Sequence, residues 1–106
     1  MARLSKPFND VIARRELGVK DSPETIVVEL GRPYAHGNEF ACPFRIAFQS
    51  EIISREIFGI DAFQALQLAL KILSVELHYD DRLPLGRMYW LDPKDDIGFE
   101  NPEQGK

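Results

Sequence analysis

His36, Glu39 and Cys42 stand three residues apart, and their side-chain types could bind zinc if they converged. Zinc takes three or four ligands around one point, and a turn running into a strand does not put every third side chain on one face. The only other histidine, His78, lies far along the chain. Cys42 would be a nucleophile beside a base or cation that lowers its pKa. It stands instead between Phe40 and Phe44 at strand spacing, where a thiol packs as a small hydrophobe. The segment DPKDDIGFE, 92–100, resembles a calcium loop in composition only, because Lys94 and Ile97 occupy the third and sixth positions, which need an oxygen ligand and a glycine. No phosphate-cradling glycine loop, nucleophile elbow or paired-carboxylate motif is present in the sequence. The expectation is no catalytic residue, no cofactor and no metal.

One loop could do recognition. The stretch GRPYAHGN, 31–38, offers Arg32, Tyr34, His36 and Asn38 at a hairpin tip, and exposed loops often carry binding residues. Ordinary turn chemistry accounts equally well for its glycines, proline and asparagine. A small enzyme or ligand binder would use Arg32, His36 and Glu39 there, with Tyr89 or Trp90. Glu76 falls on an apolar side of a helix and needs Arg45, Arg55 or Arg87 if buried, or water if the last turn emerges from the sheet.

The elements that position these residues follow from apolar spacing. Residues 11–19 and 24–30 alternate at period two, the second through Ile26, Val28 and Leu30, and both read as strands. Residues 40–48 alternate more strongly, with Phe40, Cys42, Phe44, Ile46 and Phe48 on one face, while Pro43 demands an edge or a bulge. Residues 51–60 are ambiguous between strand and helix and are assigned as a short strand broken at Gly59. Residues 86–92 suit a final strand, and 93–106 a flexible acidic tail. The fold class is α+β: an antiparallel meander of about four to five strands with one long helix on one face, forming a single domain over 1–106.

That helix opens at Asp61, which with Gln64 resembles a capping box, and runs about five turns to Asp80. Gln64, Gln67, Lys71, Ser74 and His78 make a polar stripe only about 80° wide. A lane of Ala62, Ala65 and Ala69 is flanked by Phe63, Leu66, Leu70, Leu73 and Leu77 on one side and by Leu68, Ile72, Val75 and Tyr79 on the other. One sheet face covers less than this arc. Leaving Leu68, Ile72 and Val75 in water forfeits roughly 1.5–3 kcal/mol per side chain, so the C-terminal segment or a second copy should cover them.

With 106 residues, 44% hydrophobic and 28% charged, the chain has the composition of one globular domain. A net charge of -4 argues against nucleic acid. The start MARLSKPFND has no apolar signal core, no apolar run approaches a membrane span, and one cysteine suggests no oxidising compartment, so a cytoplasmic location is expected. The blocks GRPYAHGNEFACPFRI and GIDAFQALQLALKIL resemble a family of small bacterial proteins known only as a domain of unknown function. That resemblance implies a compact α+β domain and bacterial origin, and no activity. The functional expectation is a non-enzymatic protein–protein interaction domain whose partner is itself, as a homodimer, or another protein. An immunity or antitoxin-like inhibitor of a basic toxin is the alternative within the binding class.

Overall fold

The computed structural model describes residues 10–101. Five strand positions form one antiparallel sheet. The chain lays down β1 (Val11–Val19), β2 (Ser22–Gly31), β3 (Tyr34–His36), β4 (Glu39–Phe48) and β5 (Glu51–Gly59), then α1 (Ala62–Tyr79) and β6 (Met88–Tyr89). The order across the sheet is β6, β1, β2 with β3, β4, β5. Residues 51–60 are therefore strand up to Gly59, as their β-branched content favours.

The stretch 31–38, expected as a hairpin tip, instead contains a short strand at Tyr34–His36. β3 continues β2 along the same side of β4, and only Gly37 and Asn38 turn, with Gly37 at φ 63. The sum of paired residue numbers is 74 for β2 with β4 and 75 for β3 with β4, so one residue is inserted around Arg32 and Pro33. Pro43 lies opposite this irregularity, where its missing N–H leaves no ladder bond unmade.

Leu17, Val19, Ile26, Val28, Leu30, Cys42, Phe44, Ile46 and Ile53 form the buried face of the sheet. The opposite face is a ladder of charges. Arg45 donates from Nε and Nη2 to Glu29 Oε1 at 3.1 and 2.6 Å, and Arg14 reaches Glu29 and Glu16 at 3.6 and 3.0 Å. Those pairs let one side of the sheet stay wet.

α1 lies over β4 and β5. Its cap is as expected: Asp61 Oδ1 accepts the Gln64 N–H at 2.8 Å, while Gln64 Oε1 accepts the Ile60 N–H at 2.7 Å. Gly59 makes the corner possible, because a Cβ there would sit 2.4 Å from the Ala65 backbone nitrogen. Ala65, Ala69, Leu73 and Leu77 are buried and Ala62 only half-buried, so the buried face is centred toward the leucines rather than on the alanine lane.

The cause is the C-terminal segment. The expected strand over 86–92 shrinks to Met88 and Tyr89, which pair with Val19 and Gly18. Leu91 at φ 75 then turns the chain, and Asp92, Lys94, Asp95 and Asp96 face solvent. Residues 97–101, assigned from sequence to a flexible tail, double back beside α1: Ile97 is buried, Phe99 packs on the core, and the Ser74 hydroxyl donates to the Glu100 carbonyl. Residues 102–106 and the start of the chain through residue 9 lie outside the described residues. The two sheet edges differ. β1 is met by β6, carries a register shift near Ile12 and bears Arg14, Arg15 and Glu16, whereas β5 pairs residue for residue with β4 and carries no proline.

Candidate functional site

The four hairpin residues do not converge. Arg32 is exposed, with Nε 3.9 Å from Asp10, and Asn38 is exposed in the turn. Tyr34 and His36, two apart on β3, share the wet face, where the His36 ring meets Phe58 edge-on at 5.2 Å and Tyr34 hydrogen-bonds Glu56. Burial and then that carboxylate push the Tyr34 phenol up to about 12, so the hydroxyl is a fixed donor rather than an acid. Glu39 pairs across from His36, and Cys42 points to the other face. The three residues of the zinc-like spacing are thus split between faces. Among the described residues no group of three His, Cys, Asp or Glu side chains could hold a metal ion.

Cys42 is fully buried with Sγ 3.5 Å from the Gly31 carbonyl, and burial pushes its thiol up to about 11. Such a thiol is not an activated nucleophile. Glu76 takes one of its three candidate partners, accepting from Arg55 Nε at 2.8 Å. Arg45 belongs instead to Glu29, and Arg87 donates to the Lys20 carbonyl at 3.2 Å. Tyr89 covers Gly18, and Trp90 stacks on Arg15, so neither aromatic joins the hairpin.

Sequence reasoning missed two features. A cleft of about 690 Å³ opens beside the end of α1, with Lys20, His78, Lys94, Asp95, Asp96 and Glu100 in its lining. His78 Nδ1 is already held 2.8 Å from the Ser74 carbonyl oxygen. The second is a clamp: the Arg15 guanidinium lies 3.6 Å from the centre of the Trp90 ring and 4.9 Å from that of Phe99, and Nη1 donates to the Gly98 carbonyl at 3.1 Å. Ile97 and Phe99 at strand spacing inside an acidic stretch were the available signal.

Leu68, Ile72, Val75 and Tyr79 lie along one flank of α1. Residues 98–100 lie along Gln67, Leu70, Lys71 and Ser74, and Leu70 lies toward β1 and β2, so with α1 packed over β4 and β5 the Leu68 side is the flank on the β5 side. Leu68, Val75 and Tyr79 are 36%, 39% and 48% exposed, and Ile72 between them is half-buried against the core. Their spacing of four, three and four residues is that of a coiled-coil seam. The C-terminal segment, one of the two covers considered, therefore lies on the opposite flank. Ile52 and Phe58 on β5 are 59% and 41% exposed, so apolar surface borders this edge on both faces.

No helix among the described residues is long and apolar enough to cross a membrane. No curated protein and no solved structure matches the chain. A family model does match over residues 13–101, from the second residue after the start of β1 to the end of the doubled-back segment, and the chain belongs to that family, the domain of unknown function DUF6968.

Proposed function

We propose that this chain is a non-catalytic protein–protein interaction module that works as a homodimer in the bacterial cytoplasm. The observation that carries the reading is the seam of Leu68, Ile72, Val75 and Tyr79 on the outer flank of α1. Completing the burial of side chains that are already partly covered is worth about 1 kcal/mol each, or about 6 kcal/mol for Leu68, Val75 and Tyr79 from both copies. The arrangement of ionisable groups supports the non-catalytic part: Glu29, Glu76 and Asp80 are each held by an arginine. Arg82 holds the Asp80 carboxyl well below the usual range, offsetting a negative charge at the wrong end of the helix. The lone, buried, reduced cysteine suits a reducing compartment, and the bacterial setting rests on the family resemblance.

Light scattering is expected to report twice the 12.1 kDa chain mass. Leu68→Lys should return it to one chain with an unchanged circular dichroism spectrum. A wild-type protein that stays at one chain mass as its concentration is raised would end this reading.

A further inference from the structure

We infer that the two copies join edge to edge through β5, in one register, so that the two sheets become continuous and the two helices lie side by side. The inference rests on the dimer reading above and specifies its geometry. The roughly 6 kcal/mol from the helix flank lies toward the low end of the roughly 4–15 kcal/mol that association costs, so a second contact beside it would strengthen the pairing. The neighbouring edge supplies it.

The two-residue turn at Gln49 and Ser50 makes Phe48 and Glu51 a hydrogen-bonded pair, and the antiparallel alternation then bonds Ile53, Arg55, Ile57 and Gly59 to β4. Ile52, Ser54, Glu56 and Phe58 therefore aim their N–H and C=O groups outward. No proline, register shift or described strand protects that row. A partner strand must have the same alternation, and a second β5 has it by symmetry.

Full overlap of two antiparallel copies places Arg55 on the two-fold axis and pairs Ile52 with Phe58 and Ser54 with Glu56 of the partner. This register matches the two exposed apolar side chains of β5 with each other, on the face where both project. The two Arg55 side chains meet at the axis, each already neutralised by its own Glu76. The spacing of the second layer agrees. Strands lie about 4.8 Å apart and α1 straddles β4 and β5, so the two helix axes fall about 10 Å apart, within the packing distance of helices carrying ordinary side chains. Leu68, Ile72, Val75 and Tyr79 then face their counterparts. The molecule is 22 Å deep along its shortest axis. An edge about 30 Å long over that depth covers roughly 600 Å² per copy, about 1,200 Å² in all, at the lower bound of a standard-size interface.

The test is disulfide trapping in the full chain, whose native Cys42 is buried. Residues facing each other in a non-bonded antiparallel pair have Cα atoms about 4.5 Å apart, inside the range a disulfide spans. Arg55→Cys should cross-link to a covalent dimer under mild oxidation, whereas Ile52→Cys alone should not, since its copies lie about 20 Å apart in this register. Ser54→Pro removes an outward N–H without touching the β4 ladder and should yield a folded single chain by light scattering and circular dichroism. A wild-type single chain overturns the dimer reading and this inference together. A dimer in which Arg55→Cys stays uncross-linked, or Ile52→Cys links as readily, or Ser54→Pro leaves the mass doubled, overturns the edge register and leaves the helix-flank dimer standing.

Discussion

Replacing Arg15 by alanine should loosen the C-terminal segment, and the size of the effect can be worked from its contacts. The guanidinium touches the Trp90 ring at 3.6 Å and the Phe99 ring at 4.9 Å and donates to the Gly98 carbonyl at 3.1 Å. Two partly exposed cation–π contacts at about 0.5–1 kcal/mol each and a charged hydrogen bond at about 1.5 kcal/mol, reduced for the half-exposure of Arg15, leave about 2 kcal/mol. That is about 30-fold in the folding equilibrium and, for a domain of this size, about 10 °C in the melting midpoint. Trp90 is the only tryptophan, so its fluorescence reports on the clamp directly. Arg15→Ala should shift Trp90 emission to the red, lower the midpoint and speed amide exchange at residues 97–100. Arg15→Lys should recover only part of this, because an ammonium cannot stack between two rings. An alanine variant with unchanged emission and midpoint would refute the clamp, and a lowered midpoint with unchanged emission would place the contribution of Arg15 elsewhere.

Gly59→Ala should be among the most disruptive single-methyl changes, since the added carbon would meet the Ala65 and Gln64 backbone within 3 Å. A loss of about 1–3 kcal/mol in denaturant midpoint is expected, and a neutral result would refute the close approach. Folded-state burial raises the Cys42 thiol from 9.0 to about 11 and the Tyr34 phenol from 10.0 to about 12. The unfolded chain loses those protons first, so stability should hold below pH 9 and decline from there toward pH 12. Cys42→Val should flatten the lower part of that decline, and a profile unchanged by it would mean the thiol contributes nothing.

Much of the framework was legible because its signals are local. Period-two alternation marked β1, β2 and β4, residues 51–60 were ambiguous between strand and helix and were assigned as strand, and Asp61 with Gln64 marked the first turn of α1 to the residue. What could not be read depended on distant partners. Tyr34–His36 looked like turn because Gly31, Pro33 and Gly37 surround it, and only β4 alongside makes it strand. Residues 97–101 looked like solvated tail because acidic residues surround Ile97 and Phe99, and their anchor is Arg15, more than eighty positions away. The excess of apolar residues around the helix was legible in the sequence. Which flank the C-terminal segment would take was not, since Leu70 and Leu68 are equivalent in one-dimensional spacing and differ only in lying toward β2 or beyond β5. Of the four hairpin residues only Tyr34 and His36 come together, on one face of β3, while Arg32 lies at the irregularity before that strand and Asn38 in the turn after it.

The unequal borders of the sheet also govern how far growth can go. A protein with two naked margins can recruit copies on either side and lengthen into a fibre, whereas the β1 margin here is blunted by the short β6, a kink near Ile12 and the charges of Arg14, Arg15 and Glu16. If copies pair through β5 as proposed, the β1 margin at the far side of the sheet is a poor template for the next one, and growth along that direction is disfavoured.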